Sequence, residues 1–357
     1  MNDTQQGPSK PADSINRLLR PNIRDLKPYS SARHEFEGQA NIWLDANENP
    51  FPSGYNRYPD PLQAALKDKL AALKGVSADH LFLGNGSDEA IDLLIRLFCR
   101  PGLDHIIQLP PTYGMYRVSA AIADVQVREA PLTDTCQPDP EAIRAITDAH
   151  SKILFVCSPN NPTGNLMDKQ RMRQILRSFP GIVVVDEAYI DFAGQASLTR
   201  WLKEFPHLVI LQTFSKAWAL AAARLGIALA NPEIIGYLNK VKPPYNVNAL
   251  SQEAALKALE NPEKMKAQVQ ILRDERQRLA GALAALPFVQ EVLPSDANFI
   301  LAKIPAAKAL YDHLLRQGIV VRDRSTVFPD TGALRFTVGQ PGENNTLISA
   351  LQTFRTP

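Results

Sequence analysis

Two oppositely charged residues stand at the ends of apolar runs, where charge is costly. Asp186 follows GIVVV directly, and Lys216 lies just past HLVIL in the segment QTFSKAW. A carboxylate at the end of a buried run needs a cationic partner or hydrogen bonds, because desolvating it alone is prohibitive. If both runs are strands of one sheet, Asp186 and Lys216 face one pocket from different strand ends. Two chemistries suit that arrangement. The pair can form a plain ion pair, or it can serve a pyridoxal phosphate site. There a lysine forms the Schiff base, and an aspartate keeps the pyridine nitrogen protonated so that the ring takes up electrons. Spacing alone leaves both open.

Complementary groups shift the balance. GNGSDEAIDLLIRLF sets two glycines before a helix beginning near Ser87, so unpaired amides and the positive helix end can hold a phosphate. The plainer alternative is a turn at Gly84 and Gly86, with Ser87 or Asp88 capping the helix. A dinucleotide fingerprint fits poorly, because the third glycine position is Glu89 and the acidic Asp104 precedes the second strand. Arg224, eight residues past Lys216, and Ser215 would complete a dianion anchor. Asn161 and Tyr189 can donate to a phenolate oxygen, and Tyr113 offers an aromatic face. Each alone is an ordinary structural residue; one pocket using all of them is not.

The elements that must position these groups are legible as alternation. Between about 62 and 240, the runs LFL, HIIQL, VQV, KILFV, GIVVV, HLVIL and GIALA are separated by helix-length segments. Strands apolar almost throughout imply a mostly parallel sheet covered by helices on both faces, with ligands beyond its carboxyl ends. After about 245 a long charged amphipathic stretch (Leu256, Leu259, Met265, Val269, Leu272, Leu279) leads into a smaller α+β domain. The expected division is an arm over 1–45 serving the small domain and a dimer contact, a large cofactor domain over 46–245, and an interdomain helix with the small domain over 246–357.

Composition excludes several classes. The chain has 357 residues, 45% of them hydrophobic and 21% charged, as in a soluble globular protein of about two domains. A balance of 39 basic against 37 acidic residues gives no general reason to bind nucleic acid, and Arg17, Arg20, Arg24, Lys27 and Arg33 read as a solvated face. Cys99, Cys136 and Cys157 have neither disulfide-framework nor zinc spacing and fit reduced thiols in the cytoplasm. The six histidines show no ligand spacing, so no metal is expected. No export signal or membrane span is read.

SPNNPTG, DEAYIDF and SKAWALAAARLG resemble the signature segments of fold type I pyridoxal-phosphate aminotransferases. With LDANENP, NRYPDP, GNGSDEAIDLLIR, SDANFIL, VVRDRS and LRFTVG, the chain resembles the histidinol-phosphate aminotransferase family over about 22–340. The resemblance implies that Lys216 carries the cofactor, Asp186 pairs with its ring nitrogen, and Asn161 and Tyr189 contact its ring oxygen. Ser87, Asp88, Ser215 and Arg224 would hold its phosphate beneath a stacked Tyr113. It also implies a homodimer in which Tyr58 reaches the neighbouring site. Substrate anions would be gripped by Arg335 and Arg322, with Tyr29 and Asn47 nearby.

The implied reaction is transamination between L-histidinol phosphate and 2-oxoglutarate, reversible and ping-pong, with Lys216 shuttling the α-proton. A threonine-phosphate decarboxylase-like enzyme or an aromatic amino acid aminotransferase shares the core motifs. A binding module without turnover is disfavoured by the complete set of chemical residues. One departure stands out: Ala222 and Ala223 replace a Gly followed by Leu or Ile, so an extra methyl is expected to bear on the turn that places Arg224.

Overall fold

The computed structural model describes residues 12–28 and 40–356. Its larger sheet has the order β1-β7-β6-β5-β4-β2-β3. The strands are β1 (Leu81–Asn85), β2 (His105–Gln108), β3 (Gln126–Glu129), β4 (Ser151–Cys157), β5 (Ile182–Asp186), β6 (Leu208–Thr213) and β7 (Leu225–Ala230). All seven apolar runs are strands. Neighbours from β3 through β6 pair parallel, whereas β7 runs antiparallel to both β6 and β1.

Side chains alternate faces along a strand, so a strand apolar at every position must be covered twice. Along β4, Leu154 and Val156 enter one apolar layer while Ile153 and Phe155 enter the other; β5 divides Val183 and Val185 from Ile182 and Val184 in the same way. The first layer takes in Met172, Ile175 and Leu176 of the helix Lys169–Ser178. The second takes in the buried stripe of Gly86–Phe98, including Ile91, Leu94 and Phe98.

A second sheet, β10-β11-β9-β8, is antiparallel throughout. Its strands are β8 (Glu291–Val292), β9 (Phe299–Lys303), β10 (Arg322–Asp323) and β11 (Ala333–Thr337). Ile300, Ala302, Leu334 and Phe336 bury one face against the helices Pro262–Ala284, Ala307–Arg316 and Pro341–Thr353. The other face turns toward the large sheet's carboxyl edge, where Phe299 packs with Tyr189 and Phe192.

Two expectations need correction. The amphipathic stretch after 245 is two helices, Ala249–Ala258 and Pro262–Ala284. Asn261 caps the second through Lys264 N at 3.1 Å, and Pro262 starts it without needing an amide partner. Residues 15–23 of the arm pack on the large sheet's helices, not on the small domain. Ile15 and Leu19 are buried beside Ile234, Ile235 and Leu238 because that layer offers apolar surface to cover.

Candidate active site

The site is assembled at the carboxyl edge of the large sheet. One cavity there is lined by Ser87, Asp88, Tyr113, Asn161, Asp186, Tyr189, Ser215, Lys216 and Arg224, together with Gly86, Cys157, Ala188 and Thr213. Every residue expected to hold the cofactor within one chain is among them.

Backbone contact builds one end of the cavity. β1 and β7 pair with Gly84 opposite Gly226, and Gly86 N donates to Arg224 O at 2.8 Å. A Cβ on Gly226 would fall 2.1 Å from Gly86 C and Ser87 N, so only glycine lets β7 approach the helix start this closely. Gly86 itself has φ +70°, and a Cβ there would meet Arg224 Nη2 at 2.7 Å. The opening amides of Gly86–Phe98 therefore face the same space as the Arg224 guanidinium. Neither Ser87 nor Asp88 caps this helix: Asn85 occupies the cap position and makes no side-chain cap bond. Asp88 instead accepts from Tyr113 Oη at 3.1 Å and stands 3.6 Å from Arg224 Nη2.

Asp186 closes the floor at the end of β5, only 3% exposed. Tyr116 Oη donates to its Oδ2 at 2.8 Å, and Ala188 N donates to its Oδ1 at 3.0 Å. Burial pushes the carboxyl up to about 6, against the opposing pull of Tyr116, Ala188 and Lys216. Lys216 and Asp186 share the cavity without forming an ion pair, so the plain-pairing alternative fails. The lysine follows β6, its Nζ lies 5.6 Å from the Tyr189 ring centre, and burial together with the Arg335 charge lowers its pKa.

Asn161 Nδ2 donates to Tyr189 Oη at 3.5 Å, while its Oδ1 accepts from Arg335 Nη1 at 2.6 Å. Arg335 thus approaches the cavity from the small sheet, and Arg322 lies opposite it across β10 and β11. The turn before Arg224 is closed by Ala223 N to Leu220 O at 3.1 Å, and Ala222 is exposed, so its methyl crowds nothing there.

Not every expected residue joins the cavity. Tyr58 and Asn47 line a separate groove beside Tyr245, with the Tyr58 and Tyr245 rings stacked at 4.5 Å. Tyr29 lies outside the described residues. Tyr116, which bonds Asp186, is a residue that sequence reasoning does not single out. The segment PPTYGMY holds both tyrosines, but Tyr113 precedes the helix Met115–Ile122 and lines the cavity, whereas Tyr116 lies within the helix and is buried beneath Asp186, a placement that spacing alone does not reveal. Cys157, at the end of β4, also lines the cavity without having been expected there.

The donor set fits pyridoxal phosphate. Helix amides, Ser215 and Arg224 suit a dianion; Tyr113 supplies a ring face; and a buried carboxyl held near 6 is returned to its charged form by a cationic N–H beside it. Residues 39–351 match the family Aminotransferase class I and II. The chain belongs to that family. Among its relatives in the class I and II aminotransferases, a histidinol-phosphate aminotransferase of Parabacteroides distasonis is 53% identical over 338 residues, 95% of this chain and 98% of the relative. One from Cytophaga hutchinsonii is 52% identical over 347 residues, 96% of this chain and all of the relative. Among solved structures, the histidinol-phosphate aminotransferase from Clostridium acetobutylicum superposes with a TM-score of 0.77 at 26% identity, covering 84% of this chain and 90% of that one.

Proposed function

We propose that the chain is a pyridoxal-phosphate-dependent histidinol-phosphate aminotransferase, which exchanges the amine of L-histidinol phosphate with 2-oxoglutarate to give imidazole acetol phosphate and L-glutamate. The observation that carries this reading is the unpaired Lys216 facing the buried Asp186 across a cavity with an anion cradle at one end. The names and near-complete coverage of the relatives supply the substrate.

When bound, pyridoxal phosphate supplies a carbonyl carbon that exchanges amines and a ring that takes up the electron pair left at the substrate's α-carbon. The chain's residues do the rest. The Ser87 and Asp88 amides, Ser215 and Arg224 bind the phosphate and fix the ring's position. Tyr113 covers a ring face, and Asp186 holds a proton at the ring nitrogen. Asn161 and Tyr189 orient the ring oxygen. Lys216 Nζ would hold the cofactor at its carbonyl carbon and, when free, would move the α-proton. A base must be neutral to accept a proton, and the lowered pKa of Lys216 supports that role. Arg335 and Arg322 bind the substrate's anionic end by paired N–H groups.

The enzyme acts as a homodimer in the cytoplasm. Ile42, Leu44, Phe51, Tyr55 and Tyr58 are exposed apolar residues near the groove holding Asn47, which supports a partner surface there and a Tyr58 that completes a neighbouring site. Incubating the pyridoxal-phosphate-loaded protein with L-histidinol phosphate and 2-oxoglutarate should yield glutamate. Carbon dioxide from O-phospho-L-threonine, with no glutamate from histidinol phosphate, would replace this reading with a decarboxylase.

A further inference from the structure

Three guanidinium groups crowd one face of the small sheet. Arg322 lies opposite Arg335, and the ladder continues one step beyond β10, where Arg324 N donates to Ala333 O at 2.8 Å. Residues two apart on a strand share a face, and opposed residues stand about 5 Å apart. Arg322, Arg324 and Arg335 therefore stand together, on the face away from the helices that bury Leu334 and Phe336. That face borders the site, because Arg335 bonds Asn161 at the cavity wall.

Among the described residues nothing neutralises this cluster. Among the described residues no acidic side chain pairs with any of the three, and the Nε atoms of Arg324 and Arg335 are buried without an acceptor. Asp323 falls between two of them in sequence, on the alternate face, and accepts from Ser325 N at 2.8 Å. Burial, then the charges of Arg335 and Arg322, depress the pKa of Arg324. An anion with several acceptor oxygens would relieve both the repulsion and the orphaned donors.

We propose that Arg324 is a specificity-determining residue, the third guanidinium of a site that selects a dianionic phosphate monoester over a carboxylate. For a carboxylate, three cations exceed what one charge and two oxygens can satisfy. A phosphate brings three oxygens and about two charges. The identity of the phosphorylated amine rests on the function proposed above, whereas the selection between anions does not.

The test follows the half-reaction of the cofactor-loaded holoenzyme by its visible absorbance, with L-histidinol phosphate and L-glutamate as alternative amine donors. In Arg324→Gln the half-saturating concentration should rise roughly 10- to 100-fold for the phosphorylated donor, the worth of a charge-assisted hydrogen bond, and at least tenfold less for glutamate. Arg324→Lys should recover part of the loss. Inorganic phosphate should inhibit the glutamate half-reaction in the wild type and do so about tenfold more weakly in Arg324→Gln.

Lowering the pH through about 6 removes the second phosphate charge and should erode the wild-type preference more steeply than that of Arg324→Gln, in which Arg322 and Arg335 still meet the phosphate and the donor's imidazole titrates as it does in the wild type. The titratable neighbours stay out of that range: burial raises Tyr189, and Ser325 holds Asp323 low despite its burial. The preference is a ratio between two donors, so titration of Lys216 and Asp186 cancels from it. Equal losses for both donors, or no loss for either, would overturn the proposal. A wild type inert toward histidinol phosphate would instead sink the functional reading, and phosphate inhibition of the glutamate half-reaction would still decide the role of Arg324.

Discussion

Replacing Asp186 by Asn should stabilise the cofactor-free protein while crippling the holoenzyme. The carboxyl is 3% exposed, and burial raises it from 3.8 to about 6. The folded state therefore holds this proton more tightly than the unfolded chain. Well below pH 4 both states are protonated and the group costs nothing. As pH rises toward 6 the unfolded chain releases its proton first, and stability is lost until the folded group also ionises. The displacement from 3.8 to about 6 corresponds to about 3 kcal/mol at pH 8 and about half of that at pH 5. The amide in Asp186→Asn carries no such cost, and Tyr116 Oη, both donor and acceptor, can still bond it. Urea unfolding of both proteins without cofactor should show Asp186→Asn more stable by up to about 3 kcal/mol at pH 8, with the gap narrowing at pH 5. Added pyridoxal phosphate should reverse the order, since only the carboxylate gains from a cationic N–H. A variant no more stable than wild type at pH 8, or a gap that does not change with pH, would refute the account of Asp186 as a charge awaiting its partner.

Lys216→Ala should abolish turnover while leaving the circular dichroism spectrum and unfolding midpoint near wild type; retained turnover would remove the lysine from its role. Tyr116→Phe should leave Asp186 Oδ2 without its 2.8 Å donor and weaken turnover by roughly tenfold, read as kcat with KM little altered. Gly226→Ala should force β7 away from Gly86 and Ser87, cutting stability by more than about 2 kcal/mol and loosening cofactor retention, measured by thermal unfolding and by dialysis.

Much of the fold and site is readable in the residues. Most strands of the large sheet are short apolar runs, because both faces are covered; the edge strand β3, with Gln126 and Glu129 exposed, is the exception, and the cavity collects polar residues that follow β1, β2, β4, β5 and β6. The small sheet is harder to see. β8 and β10 are two residues long, too short for a period to register, so the shared face of Arg322, Arg324 and Arg335 emerges only from pairing. Tyr116 reads as an ordinary buried aromatic until its hydroxyl is found against Asp186. The helix break at Asn261 lies hidden inside a continuous apolar stripe, since a cap and a proline alter the chain's direction without altering its hydrophobic spacing. In the proposed homodimer the chemistry expected of Tyr58 belongs to a second chain, which accounts for its distance from the cavity of its own.

The reversed direction of β7 ties two functions to one short span. Thr213, at the end of β6, faces Gly226, near the start of β7, so residues 214–224 form a closed bight whose two ends are fastened together. Lys216 lies near one end of that bight and Arg224 at the other. The residue proposed to carry the cofactor and the residue proposed to grip its phosphate thus share a single hasp of backbone. Lengthening it by one residue would change the span between the two holds, whereas the same insertion in the connection between β3 and β4 would leave that span alone. Substitutions that keep the hasp's length leave both holds in place, whereas an insertion there would separate them.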